Sequence, residues 1–257
     1  MNPTIDRVVV DTNIWYTLGS EDSLFNSLFS LLTPIYNNLW EITHSGLLVR
    51  SPEKVKRAIQ KMMFCSENSI FIEPLKYLIK NANNDYEIEV SKLTTDMLII
   101  SQQIANGAII KDSMRGAYHQ FIEKTKNGLE ELTLNINNLG EICKKNIKNK
   151  SKHRKHYNKE LFINLLNCMA IQATDGEYEL SNLSLDDCEL LVTVWAAYYN
   201  KIEVGELKWQ RNDYMDIFNL AYVRKGDKYW THEKKWIALI KEVGCERYLF
   251  NPKDHIY

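Results

Sequence analysis

The sequence predicts an α/β fold in which a short central parallel sheet is flanked by helices and interrupted by a large helical insertion. A β-branched run from Arg7 to Asp11, preceded by Ile5, is typical of a buried strand. Strand patterns that alternate with helical ones return only after about residue 206, and helical periodicity fills most of Glu73 to Gly205. The sheet is therefore expected to draw its strands from distant parts of the chain.

The composition is that of an ordinary globular protein. Of its 257 residues, 45% are hydrophobic and 25% are charged, which favours a compact folded chain of one enlarged domain or two small ones. The 32 basic and 33 acidic side chains give a net charge of −1, which excludes uniformly cationic proteins such as histones. Any contact with nucleic acid must therefore be local.

The cysteines and the apolar runs indicate a reducing, non-membrane setting. The five cysteines are widely spaced and form no CxxC pair, so we expect buried reduced thiols and no zinc or redox centre. The longest apolar run, Leu190 to Tyr199, is half of the roughly 20 residues that a membrane span needs. The charged start MNPTIDRVVVD does not resemble a signal peptide. We therefore expect a cytoplasmic protein.

Three helices are predicted after the first strand. Apolar residues recur at three- and four-residue spacing over Glu21 to Leu32 and over Pro34 to Val49. Ser51 is a typical cap, and Pro52 suits the first helical position, so a third helix is expected to run to about Phe64.

The middle of the chain is predicted to be helical and the end to return to α/β. One long helix is expected from about Lys111 to Lys148, and another begins after the capping residue Ser184. The expected C-terminal elements are a helix from Asn212-Asp213, a strand Lys228 to Thr231, a helix His232 to Val243 and a strand Glu246 to Phe250. We predict a single domain, built from about 1–72 and 206–257, with an insertion at about 73–205.

Asp11 is the strongest candidate for a functional side chain. It directly follows the predicted central strand, and functional groups of parallel α/β sheets collect beyond the carboxyl ends of the strands. A carboxylate at this point is typically paired with a hard cation, which prefers oxygen ligands. For Asp11 alone, capping of the next turn is an alternative role.

Other acids stand in similar positions. Glu41 is charged within an apolar helical pattern, so it is either solvated at an edge or directed into a polar cavity. Asp213 and Asp216 are three residues apart and share one helix face, where acids also suit the helix dipole. Glu233 follows the predicted strand end at Thr231 by two residues. Each is unremarkable alone, and only their order and context give them weight.

This order of acids resembles that of the PIN-domain nucleases, a family that includes the toxin ribonucleases of bacterial toxin–antitoxin modules. The resemblance covers about the first 65 and the last 50 residues. The matching positions are Asp11 with Thr12 and Asn13, Glu41, Asp213 with Asp216 one turn later, and Thr231 with Glu233. Glu233 departs from the family, most of whose members have Asp there.

The resemblance implies a PIN-like three-layer fold and a metal-dependent endoribonuclease. It assigns catalysis to Asp11, Glu41, Asp213, Asp216 and Glu233, and supporting roles to Asn13 and Thr231. It assigns metal binding to the first four, with Asp213 and Asp216 as alternatives for one position. Clustered carboxylates repel one another unless a divalent cation such as Mg²⁺ or Mn²⁺ neutralises them, and that ion promotes phosphodiester hydrolysis. The resemblance also implies 3′-hydroxyl and 5′-phosphate products.

Two alternatives stay open. The first is a catalytically inactive PIN-like scaffold that binds RNA or a protein through the insertion. The second is a haloacid-dehalogenase-type phosphatase, which is less favoured because Asn13 stands where that chemistry needs a second Asp.

A basic stretch provides a candidate RNA contact. Between Glu141 and Glu160, eight basic residues stand against two acids. Such a stretch is commonly a solvated surface, but its lysines and arginine would also bind RNA phosphates and offset the repulsion from an acidic site. The candidate contacts are Lys148, Lys150, Lys152, Arg154 and Lys155. The expected partners are single-stranded or structured RNA and, from the resemblance, a protein inhibitor or a second copy of the chain.

Overall fold

A computed structural model describes residues 6–146 and 159–255 of the chain. The described part is mainly helical and contains a three-stranded parallel sheet in the order β2-β1-β3. The strands are β1 (Val8–Val10), β2 (Leu32–Thr33) and β3 (Lys228–Trp230). The α/β class and the joining of distant parts of the chain in one sheet are thereby confirmed.

The central strand β1 explains the apolar run near the start of the chain. Its three valines have no solvent exposure, and Val8 pairs with Leu32 on one side and with Lys228 on the other. A parallel strand buried on both faces requires an uninterrupted apolar sequence. Beyond the strand, the Asp11 amide donates to the Trp230 carbonyl at 2.9 Å. The carboxyl ends of β1 and β3 therefore meet at one edge of the sheet.

Twelve helices accompany the sheet in the described residues. They are α1 (Thr12–Leu18), α2 (Asp22–Leu28), α3 (Tyr36–Thr43), α4 (Leu47–Arg50), α5 (Pro52–Phe64), α6 (Pro74–Ala82), α7 (Lys92–Ala105), α8 (Asp112–Asn146), α9 (Lys159–Ala173), α10 (Leu185–Glu203), α11 (Asp213–Asn219) and α12 (Lys234–Glu242). The sequence predicted α5 at its observed bounds and the start of α8 to within one residue, while the predicted end of α8 at Lys148 lies outside the described residues.

Several predicted bounds differ near the start of the chain. The helix expected over Pro34 to Val49 is interrupted between α3 and α4, where the Ser45 hydroxyl accepts from the Leu47 amide at 3.1 Å and opens a new turn. The helix expected over Glu21 to Leu32 ends at Leu28 and gives way to β2. Helix α1 was not predicted at all.

The expected last strand, Glu246 to Phe250, is wrong. Glu246–Tyr248 forms a 3-10 helix, and the backbone of the segment pairs with β3 through an isolated bridge between Leu249 and Tyr229. The chain reverses after α12 at Gly244, whose φ of +71° lies in the left-handed region that glycine favours. Too few extended residues remain after this turn to form a strand.

Helix α10, which lies inside the predicted insertion, belongs to the core. Its buried residues extend around the helix and include Leu191, Val194 and Tyr198. It contacts α8, α9, α11 and α12, so it connects the helices of the middle to those beside the sheet. The division of the chain into a PIN-like unit and an insertion remains a prediction.

The cysteine prediction is confirmed for three residues. Cys65, Cys188 and Cys245 are free and buried. Cys168 is also free but exposed, contrary to expectation, because it lies on the outer side of α9; the side chain of Cys143 is outside the described set. No helix in the described parts of the chain has the length and apolar character needed to cross a bilayer.

Candidate active site

An open cavity of about 490 Å³ lies where β1 and β3 end. Four acids from different elements line it: Asp11 after β1, Glu41 on α3, Asp216 on α11 and Glu233 before α12. Three-dimensional folding thus brings together acids that are up to 222 positions apart in the sequence.

Asp11 is the deepest of these acids, with 2% of its surface exposed. Its Oδ1 accepts from the Thr12 amide at 2.7 Å, so Asp11 caps α1, while Oδ2 accepts from the Thr231 hydroxyl at 2.9 Å. Burial raises the pKa of Asp11 to about 6, although the hydrogen bonds from Thr231 and Thr12 act in the opposite direction. Asp11 therefore both caps α1 and lines the cavity.

Thr231 and Asn13 connect the strand ends to Glu233. The Thr231 hydroxyl oxygen accepts from the Glu233 amide at 3.0 Å, and Asn13 Nδ2 donates to Glu233 Oε1 at 3.2 Å. Glu233 is exposed at the rim of the cavity. Asn13 and Thr231 thus both contact Glu233, and the supporting roles that the resemblance implies for them remain predictions.

Glu41 is directed into the cavity, as one of the two sequence-based alternatives had it. Burial, and then the charge of Asp11, raises its pKa to about 8, while a hydrogen bond with the Thr12 side chain lowers it. Without a cation, the folded protein therefore favours the protonated, uncharged form of Glu41 at neutral pH.

Asn38 is a buried residue of this region that the sequence analysis missed. Its Nδ2 donates to the Val10 carbonyl at 2.9 Å and to the Thr12 hydroxyl at 3.1 Å, and its Oδ1 accepts from Trp15 Nε1 at 3.0 Å. Asn38 thus ties α3 to the end of β1. The sequence signal for Asn38 was an amide side chain at a position that the helical pattern predicts to be buried.

Asp216 occupies the third acidic position of the cavity. Trp236 Nε1 donates to its Oδ2 at 3.0 Å. Burial, and then the charge of Asp11, raises the pKa of Asp216 to about 7 against the lowering effect of the Trp236 hydrogen bond.

Asp213 is not among the residues that line the cavity, although the sequence analysis considered it a metal ligand. Its carboxylate accepts from the Tyr198 hydroxyl and from the Gln210 amide, the latter at 2.7 Å, and forms an ion pair with Lys235. With 1% of its surface exposed, Asp213 is committed to these contacts outside the cavity lining. Of the two aspartates, only Asp216 is placed to act in the cavity.

The acids are not preassembled as a cation site. Among residues 6–146 and 159–255, no three His, Cys, Asp or Glu side chains are grouped closely enough to hold a metal ion as they stand. Positive charge at the cavity comes from Arg50 and Arg211. The predicted RNA contacts Lys148, Lys150, Lys152, Arg154 and Lys155 lie outside the described residues.

No family model, curated protein or solved structure matches this chain.

Proposed function

We propose that this chain is a metal-dependent endoribonuclease with a PIN-like arrangement of its acids. The observation that carries the proposal is the convergence of Asp11, Glu41, Asp216 and Glu233 on one cavity beyond the carboxyl ends of parallel strands. Buried acids with raised pKa values in one cavity are typical of functional sites, because a stable core gains nothing from keeping them together.

The donor chemistry of the cavity fits a hard divalent cation. Asp11, Glu41 and Asp216 offer only oxygen ligands, which Mg²⁺ and Mn²⁺ prefer, and each carboxylate has lone pairs beyond those used in its hydrogen bonds. Burial raises the pKa of all three, the charge of Asp11 further raises those of Glu41 and Asp216, and a cation offsets both penalties. When bound, the ion would neutralise charge on a phosphodiester and acidify water.

The chain's own residues would orient this chemistry. Thr12 and Thr231 fix both oxygens of Asp11 from the ends of two strands. Asn13 holds Oε1 of Glu233, which leaves Oε2 at the cavity rim to accept a proton from the attacking water. The extra methylene of Glu233, relative to the Asp of the family, suits this outer position.

Cleavage of labelled RNA tests the proposal. Purified protein is incubated with single-stranded RNA in Mn²⁺ or Mg²⁺, and the product ends are identified. We expect 5′-phosphate products, loss of cleavage in EDTA, and a rate at least about a hundredfold lower for Asp11→Asn, because the deepest ligand loses its charge.

The matched control is Asp85→Asn, since Asp85 is an exposed acid that does not line the cavity. This variant should cleave at the wild-type rate. Cleavage that persists in EDTA, or that Asp11→Asn supports as well as Asp85→Asn does, would contradict the proposal.

An inactive PIN-like scaffold is the second candidate. The observation that favours it is that no three acids of the described residues are grouped closely enough to bind an ion without moving. Isothermal titration with Mn²⁺ separates the two: the nuclease requires binding that Asp11→Asn weakens, and the scaffold requires none.

A further inference from the structure

Part of the cavity wall is cationic and aromatic. Trp40 lies on α3 beside Glu41, His44 follows one turn later as the residue that caps the end of α3, and Arg50 ends α4; all of them line the cavity. An acidic site repels a polyanion, so positive and hydrogen-bonding groups in the same wall indicate how a substrate would be held.

Arg50 has the donors that a phosphate needs. Its side chain is exposed, and its Nε donates only weakly to the Gly46 carbonyl at 3.4 Å. No acid in the described ranges forms an ion pair with Arg50, whereas the other cavity arginine, Arg211, is paired with Glu130 at 3.1 Å. A guanidinium with unused N–H groups at the edge of an acidic cavity suits a phosphate that enters it.

His44 is held as a fixed hydrogen-bond acceptor. Its ring stacks on Trp40, with the ring centroids 4.4 Å apart and an angle of 12° between the ring planes. The centroid of the Phe121 ring lies 5.0 Å from that of His44. Its Nδ1 lies 2.7 Å from the Trp40 carbonyl oxygen. Because a carbonyl only accepts, Nδ1 carries the proton, and Nε2 of the neutral ring is left as an acceptor. Burial lowers the pKa of His44, which favours that neutral form.

The concave form of the cavity restricts the form of the substrate. Its lining extends from the buried Asp11, with 2% exposure, to the exposed Glu233. A duplex presents its phosphates on a convex surface and keeps its base edges paired, whereas a single strand bends into a concavity and exposes them.

From these observations we infer that the cavity binds a single-stranded RNA segment, with Arg50 on a backbone phosphate and His44 Nε2 accepting from the exocyclic amino group of a neighbouring base. This inference rests on the proposed function, because the acids define where the scissile phosphate would lie.

Fluorescence anisotropy at low salt in EDTA tests the phosphate contact without any need for cleavage. The probes are labelled oligoadenylate and a labelled RNA duplex of the same length. We expect the single strand to bind at least about tenfold more tightly than the duplex, and Arg50→Ala to weaken single-strand binding about tenfold. Arg57→Ala, which removes an exposed arginine outside the cavity lining, should have little effect.

The base contact is tested by comparing oligoadenylate with an oligomer of unsubstituted purine ribonucleoside, which lacks the amino group. Wild-type protein should prefer oligoadenylate several-fold, since an unsatisfied acceptor disfavours the analogue. His44→Phe, which keeps a stacking ring but removes Nε2, should abolish the preference, while His119→Phe, at an exposed position of α8, should retain it.

Equal binding of duplex and single strand, Arg50→Ala behaving like Arg57→Ala, or a preference that survives in His44→Phe would each overturn the inference. If RNA cleavage is intact while these contacts have no effect, only this inference fails. If Arg50-dependent single-strand binding is observed without any metal-dependent cleavage, only the nuclease proposal fails.

Discussion

Replacing Glu41 with glutamine should stabilise the protein in the absence of divalent ions. Glu41 lines the cavity with Asp11 and Asp216, and its pKa is raised from 4.5 to about 8, first by burial and then by the charge of Asp11. Ionisation of Glu41 therefore costs more free energy in the folded protein than in the unfolded chain. Glutamine keeps the shape of the side chain and most of its hydrogen-bonding capacity but carries no charge.

The pKa values set the size and the sign of the effect. Below about pH 4.5 Glu41 is protonated in both states; between 4.5 and about 8 the folded state retains a proton that the unfolded chain loses, so the free energy of unfolding falls as the pH rises. The full shift corresponds to at most about 5 kcal/mol. Because Glu41 is partly open to the cavity and titrates together with its neighbours, we expect a gain of about 2 kcal/mol for Glu41→Gln above pH 8.

Urea denaturation followed by tryptophan fluorescence, in EDTA at pH 5 and pH 8.5, measures this gain. Glu67→Gln is the matched control, because Glu67 is an exposed acid outside the cavity. The reasoning is refuted if Glu41→Gln is no more stable than Glu67→Gln at pH 8.5, or if its gain is as large at pH 5.

Three further predictions concern other parts of the fold. Lys235→Met should destabilise the protein by about 3–5 kcal/mol in urea denaturation, because it leaves the buried carboxylate of Asp213 without its ion pair; an effect below about 1 kcal/mol would contradict this. Gly226→Ala should cost about 1–2 kcal/mol in the same assay, because Gly226 has a φ of +98° in the turn before β3; unchanged stability would show that the turn relaxes. Under native conditions a maleimide should modify Cys168, which is exposed, well before the buried Cys65, as read by peptide mass spectrometry, and equal rates would refute the assigned burial.

The sequence alone predicted those helices and strands whose own residues carry a strong pattern. The valines before Asp11 predicted the central strand, since only a strand buried on both sides needs such a run. Pro52 at the first helical position marked the start of α5, although the Ser51 side chain makes no capping hydrogen bond there. By contrast, β2 has only two residues, too few to show a period, and it exists because the Val8 and Val9 backbone pairs with it.

For the candidate site, the sequence by itself identified the acids, and tertiary structure decided which of them share a cavity. Asp213 and Asp216 have equivalent positions in the pattern, because residues three apart lie on one helix face. Their roles separate only through distant partners: Lys235 and Tyr198 engage Asp213, whereas Trp236 holds Asp216 at the cavity. Spacing encodes which way a helix faces, but only the packing of remote segments determines what that face meets.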